Sequence, residues 1–389
     1  MRASENLYPE MDRVQRMALI IAVAALVPYV LGAFFNRDQF FHSYLLAFIF
    51  WVGIAVGCAA VLMLHHLTGG GWGLIIRRSL ESGTRTLPLM AVLALPLLLA
   101  APRLYVWADA SKASADELLR HKQPYLNVPF FALRTALYFT AWLTLAYFLN
   151  KWSREQDERG KLEVGRRLRA LSGPGLVVYG LTATLASIDW VMSLDPHWFS
   201  TAFGMIFMVG QVLTTLAFAI GVAMMLVGRE PLSRVASRSR LVDLGNLMLA
   251  FVMLWAYISF SQFLIIWSGN LPEEITWYKT HLKGGWAWIA IFLIVFHFAL
   301  PFLLLLSRDI KSKARSLQLV AAGIILVRLV DLYWVIKPAT GGGLRPHWMD
   351  VIAPIAIGGI WVSFFVWQLK GRPLLPVNDP QLRAELRHE

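Results

Sequence analysis

The residues of this chain best equipped for chemistry lie inside or beside long apolar runs. Asp189 lies inside one such run, and Asp195, Pro196 and His197 follow its end before the next begins. Two acids and an imidazole therefore share the stretch from Ser187 to Thr201. An ionisable group buried in hydrocarbon is costly and faces protein or water rather than lipid. Left without a cation, Asp189 is a proton carrier; paired to a neighbouring helix, it is structural glue. Arg328 and Asp331, three residues apart in a later run, share one helical face. They read as a mutual pair, or as an arginine that holds an anion or a quinone carbonyl, or as a bias on a proton wire running through Asp331 toward Tyr333.

His297 lies mid-run, four residues before Pro301. A b-type haem between membrane helices wants two facing imidazoles, and no second histidine shares that depth. His297 is therefore read as hydrogen-bonded core or as a proton relay. Tyr257, Ser261 and Gln262 form a polar stripe leading to Glu273 and Glu274. That stripe would line a hydrated path with an acidic mouth, or supply interhelical hydrogen bonds beneath an aromatic belt. His65, His66 and Asp243 are candidates for an inner half-channel, with ordinary polar helix ends as the alternative. Arg134, near a helix end, is expected to snorkel to the interface. No Walker loop, nucleophile elbow, zinc-type His-Glu-x-x-His or dinucleotide glycine pattern occurs. No metal-ligand set is read in the sequence.

The elements that must position these residues follow from composition. Hydrophobic residues make up 57% of the 389 and charged residues 15%, and the mean hydropathy is +0.57. These values assign the chain to integral membrane proteins. Cys58 is the single cysteine, which excludes an internal disulfide framework or a Cys-ligated cluster.

A span needs about 20 helical residues. Ten runs qualify, near 17–35, 44–64, 86–106, 129–149, 174–194, 202–227, 241–267, 286–306, 316–336 and 350–369. Residues 1–16 and 370–389 are read as tails around a ten-helix domain, with the first helix retained rather than cleaved. Proline inside a run (Pro28, Pro96, Pro301, Pro354) is expected to kink a helix, not break it. Gly53 and Gly57 form a small-xxx-small pair suited to close helix packing.

The formal charge of +12 is concentrated in alternate connections. The two tails and the second, fourth, sixth and eighth connections carry 25 of the 36 Lys and Arg; the remaining connections carry nine. This is the positive-inside pattern, not a nucleic-acid footprint, and it implies cytoplasmic termini. The Asp189 hinge then lies on the outer side.

Two motifs carry a family resemblance. The stretch from Ser187 to Thr201, and Tyr257 through Trp267 leading to Asn270-Leu271-Pro272-Glu273-Glu274, together with the ten-helix plan, resemble the ActF-type membrane subunits of bacterial alternative complex III. Those subunits are relatives of the NrfD/PsrC quinol-interacting membrane proteins. The resemblance runs over nearly the whole chain and implies two four-helix bundles plus flanking helices. It also implies membership of a quinol:cytochrome c, or terminal oxidase, oxidoreductase in the bacterial inner membrane. The implied partners are an ActC-type sister subunit, an iron–sulfur subunit and haem c subunits, with a terminal oxidase as acceptor. The clusters and haems would belong to those partners, and quinol or menaquinol is the implied small molecule. Asp189, Asp195 and His197 carry over with the first motif, and Ser261, Gln262, Glu273 and Glu274 with the second. A secondary transporter, or a purely structural anchor of the complex, is the competing reading.

Overall fold

The computed structural model describes residues 7–160, 162–341, 343–376, 378–379 and 382. Every regular element among them is helical. In chain order these are α1 (Leu7–Phe35), α2 (Arg37–Thr68), α3 (Gly71–Thr84), α4 (Leu87–Leu99), α5 (Ala101–Leu104), α6 (Ala110–Ala115), α7 (Glu117–Lys122), α8 (Val128–Arg159) and α9 (Leu162–Trp190). They continue with α10 (Phe203–Leu226), α11 (Arg238–Gly269), α12 (Pro272–His281), α13 (Trp286–Leu293), α14 (Leu300–Leu306), α15 (Arg308–Ser312), α16 (Ala314–Ile336) and α17 (Trp348–Lys370). A π-helical turn, Ile294–Ala299, joins α13 to α14.

Nine helices among the described residues are long and apolar enough to cross a membrane, and α3 with α4 makes a tenth candidate bent by 42°. The chain is an all-α, multi-pass integral membrane protein. The boundaries follow local chemistry. The Asn36 and Asn127 side chains accept backbone N–H groups at the starts of α2 and α8. Gly160 and Asn270, at φ of 61° and 47°, close α8 and α11 in the left-handed conformation. His347 and Asp350 form a reciprocal capping box that opens α17. Pro28, Pro96 and Pro354 lie within continuous helices, and Pro301 opens α14 directly after the π-helical turn.

The helices group as α2, α3/α4, α8 and α9 on one side and α10, α11, α13/α14 and α16 on the other. Helices α1 and α17 pack together along the flank of α2. Helix α2 is the axis, with 94% of its most apolar window buried. Gly53 and Gly57 let it approach α10: a Cβ on Gly57 would lie 2.2 Å from the Thr215 hydroxyl, and that hydroxyl donates to the Ile54 carbonyl at 3.2 Å. Gly359 likewise brings α17 onto α1, where an added Cβ would sit 2.6 Å from the Ala18 carbonyl.

The start of α1 and the end of α17 lie at the same end of the bundle, because Lys370 pairs with Asp12 and Gln15. His65 lies at that end too, and the basic connections converge there; it is the basic end below. Residues 65–85, which in the sequence form the connection between the second and third apolar runs, include the helix α3. Its polar side chains are buried rather than facing headgroups. Glu81 accepts from Arg77 at 2.9 Å, Arg78 at 2.6 Å and Ser153 at 2.6 Å. Arg78 also pairs with Asp157 at 2.6 Å, and Arg77 with Asp379 at 2.5 Å. Part of the 370–389 tail is therefore packed onto the bundle, with Leu374 and Leu375 buried. The α3/α4 bend lies level with Asn150, which donates to the Thr84 hydroxyl at 2.8 Å. Asn150 is where the apolar run of α8 ends, so the bend is at the basic face and not at mid-bundle.

Candidate functional site

Asp189 projects from α9 in the half of the bundle away from the basic end, and it is fully buried. Its carboxylate accepts Arg134 Nε–H at 2.8 Å, Arg134 Nη2–H at 3.0 Å, the Tyr138 hydroxyl at 2.6 Å and the Tyr125 hydroxyl at 3.0 Å. Four donors fill the lone-pair directions of one carboxylate. Arg134 is 5% exposed, so the expected snorkelling does not occur. It donates instead to the Tyr125 carbonyl at 2.8 Å and stacks on the Tyr125 and Phe130 rings. Tyr125, outside the spanning segments, is pushed up to about 12, first by burial and then by the Asp189 charge. The assembly is a closed clamp between α8 and α9.

Asp195 and His197, from the same motif, make no contact with that carboxylate. Asp195 is half-buried in a turn where its carbonyl accepts the Trp198 amide at 3.2 Å. His197 is exposed, its Nε2 2.9 Å from Asp116. In the second motif, Gln262 is buried and accepts the Ser200 hydroxyl at 2.8 Å, while Ser261 is half-buried. Tyr257 is 70% exposed and faces away from the bundle. Glu273 and Glu274 occupy the first turn of α12, where acids suit the helix dipole. Beside them the Trp198, Trp277 and His281 rings stack, with centroids 5.1 Å and 3.6 Å apart. His281 is buried between the Trp277 carbonyl at 2.7 Å and the Val335 carbonyl at 3.4 Å, and burial pushes its pKa down to about 4.

The deep polar cluster is elsewhere. Arg328 and Asp331 are both buried and pair directly on α16. Arg328 lies flat over Gly210 of α10, where a Cβ would be 2.3 Å from the guanidinium carbon. It faces a narrow cavity of ≈ 10 Å³ with Gln211, Thr214 and Gly53 in its lining. Gln211 accepts the Tyr179 hydroxyl at 3.0 Å, so a polar line runs from α9 through α10 to α16. His297 sits within electrostatic range of the Arg328–Asp331 pair. It is fully buried in the π-helical turn and packs edge-on to Trp255 with centroids 4.1 Å apart. Neither of its ring nitrogens has a protein partner. Such orphaned buried groups are rare and call for an explanation, and π-turns recur at functional sites.

Toward the end away from the basic face, the Tyr333 hydroxyl is also buried without a partner. Beyond it, Asp350 accepts from Ser43 at 2.6 Å, Gln39 at 2.7 Å and Lys337 at 3.2 Å. Sequence reasoning missed this second cluster because its members come from three helices. The one local signal was Asp350, three residues after His347 at a helix start.

At the basic end, His65 and His66 are mostly enclosed, His65 against Trp72 with centroids 5.2 Å apart. Their Nδ1 and Nε2 atoms, respectively, lack partners. Asp243 is exposed on α11 and hydrogen-bonds to neither histidine. Among the described residues no group of three or more His, Cys, Asp or Glu is placed to hold a metal ion. No protein-family model matches the chain, and no curated protein matches it.

Proposed function

We propose that this chain is a proton-conducting membrane subunit, without redox centres of its own, of a quinol-oxidising respiratory complex of the alternative complex III type. In this reading it lies in the bacterial cytoplasmic membrane with both termini cytoplasmic. Iron–sulfur and haem c partners carry the electrons to a cytochrome c or terminal oxidase.

One observation carries the proposal: a deeply buried imidazole, His297, with two unpartnered nitrogens beside the Arg328–Asp331 pair. An imidazole can accept a proton at one nitrogen and release one at the other. Arg328 biases the charge of Asp331 and keeps the neighbouring cavity polar. Tyr333 and the Asp350–Lys337 cluster continue the line toward the outer side, where quinol oxidation releases protons. Size favours proton transfer over quinone binding here. The cavity at Arg328 is ≈ 10 Å³, about the room of one water, whereas a small-molecule pocket occupies several hundred Å³. A transporter reading is disfavoured because the helix break lies at the basic face rather than at mid-bundle.

The anchor reading draws on a different observation, the saturated ion pairs at Asp189 and Glu81, which hold helices and move nothing. Both roles coexist in one chain, with clamps fixing the frame around the deep cluster. Affinity purification of the chain from native membranes tests the assignment. Iron–sulfur and haem c subunits are expected to copurify with quinol oxidation activity, and a chain that purifies alone contradicts it.

A further inference from the structure

The surface at the α1–α2 turn holds a second feature, unrelated to the buried clusters. A groove of about 270 Å³ opens there, lined by Ala33, Phe34, Arg37, Phe40, Phe41 and Arg103. That is far more than the room of one water, enough for a phosphate, its glycerol and the first methylenes of a chain. Two guanidiniums face one opening whose other walls are apolar. The walls are held in place: the Tyr29 and Phe40 rings stack at 4.4 Å, the Tyr29 hydroxyl donates to the Phe40 carbonyl at 2.6 Å, and Phe41 packs edge-on to Phe40 at 5.1 Å.

Position decides what such a groove meets. Helix α1 ends at Phe35, α2 starts at Arg37 and Arg103 lies in the last turn of α5, so the opening is at the level where spanning helices leave the hydrocarbon. Phe34 and Phe35 are 74% and 90% exposed, as in the aromatic belt of an interface. The acid nearby is Asp38, 3.6 Å from Arg103, with both side chains about half exposed or more. Two arginines against one aspartate leave the groove a net positive charge. Guanidiniums take phosphate oxygens in paired hydrogen bonds.

We propose that this groove seats the headgroup of an anionic phospholipid, the phosphate between Arg37 and Arg103 and the first acyl methylenes against Phe34 and Phe40. A zwitterionic lipid brings a cation of its own and is disfavoured by the same net charge.

The test is native mass spectrometry of the delipidated protein in mixed micelles containing phosphatidylglycerol or phosphatidylcholine at equal mole fraction. Phosphatidylglycerol is expected to be retained about tenfold better. The double variant Arg37→Gln/Arg103→Gln is expected to lose that preference, and Asp38→Asn to strengthen it by removing the competing carboxylate. Equal retention of the two lipids, or a preference unchanged in the double variant, overturns the proposal. So does displacement of the lipid by equimolar glycerol phosphate, which would make this a site for free phosphate. If the double variant does not fold, Asp38→Asn decides: a gain supports the site and no gain overturns it.

Discussion

Neutralising Asp189 tests whether the acid in the leading motif is a clamp or a carrier. The Asp189→Asn variant keeps the shape but leaves the Arg134 guanidinium, 5% exposed, without its anion. It also presents an amide donor to a site already supplied by four donors. Breaking one side of a buried ion pair costs about 3–5 kcal/mol. Arg134→Met strands the carboxylate and is expected to cost a similar amount. Removing both charges in Arg134→Met/Asp189→Leu should recover most of the loss. What remains is the loss of the acceptor for two hydroxyls, the partly exposed Tyr125, which can turn to water, and the buried Tyr138, which costs about 1–3 kcal/mol. The expected coupling between the sites is therefore about 3 kcal/mol or more, well outside additive behaviour. Denaturant or thermal unfolding of the four proteins in one detergent measures it. An Asp189→Asn protein as stable as the parent but unable to move protons would refute the clamp and restore Asp189 as the carrier.

Two further outcomes follow. Gly210→Ala places a methyl 2.3 Å from the Arg328 guanidinium carbon; the side chain must shift, at a cost of about 1–3 kcal/mol, and proton movement should fall in complexes that still assemble, whereas unchanged coupling would remove Arg328 from the path. His281 is held at a pKa of about 4 against an ordinary 6.5, so the unfolded chain binds the extra proton first as pH falls. Stability is full above about pH 6.5 and declines between 6.5 and 4, by up to about 3 kcal/mol for a shift of this size at 1.36 kcal/mol per unit. Unfolding midpoints at pH 7.5 and 5 compare the parent with His281→Phe, whose curve should lack that component; identical pH dependence contradicts it.

What sequence made legible was set by sequence separation. Nine of the ten apolar runs, the Gly53/Gly57 packing face and the Arg328–Asp331 pair are local patterns that correspond to an observed element or contact, whereas the third run, 86–106, is divided between α4 and α5. Asp189 was conspicuous, but its partner lies 55 residues away on another helix, and depth alone left carrier and structural glue both open. The Ser43–Asp350 contact spans 307 residues and had no local trace. The charges of α3 counted as part of a basic connection because Arg77 and Arg78 lie between two apolar runs, yet the extension of α8 and the segment after α17 cover them. The orphaned nitrogens of His297 could not be anticipated either, since they depend on a π-turn that aims the ring at Trp255.

The most direct measurement of the central claim uses His297→Leu in complex reconstituted into liposomes, where quinol oxidation and proton movement are recorded together. Leucine replaces a buried imidazole that no protein group satisfies, so stability should be unchanged or improved. Electron transfer should continue while protons moved per electron fall sharply. An unchanged proton-to-electron ratio in this variant would contradict the account.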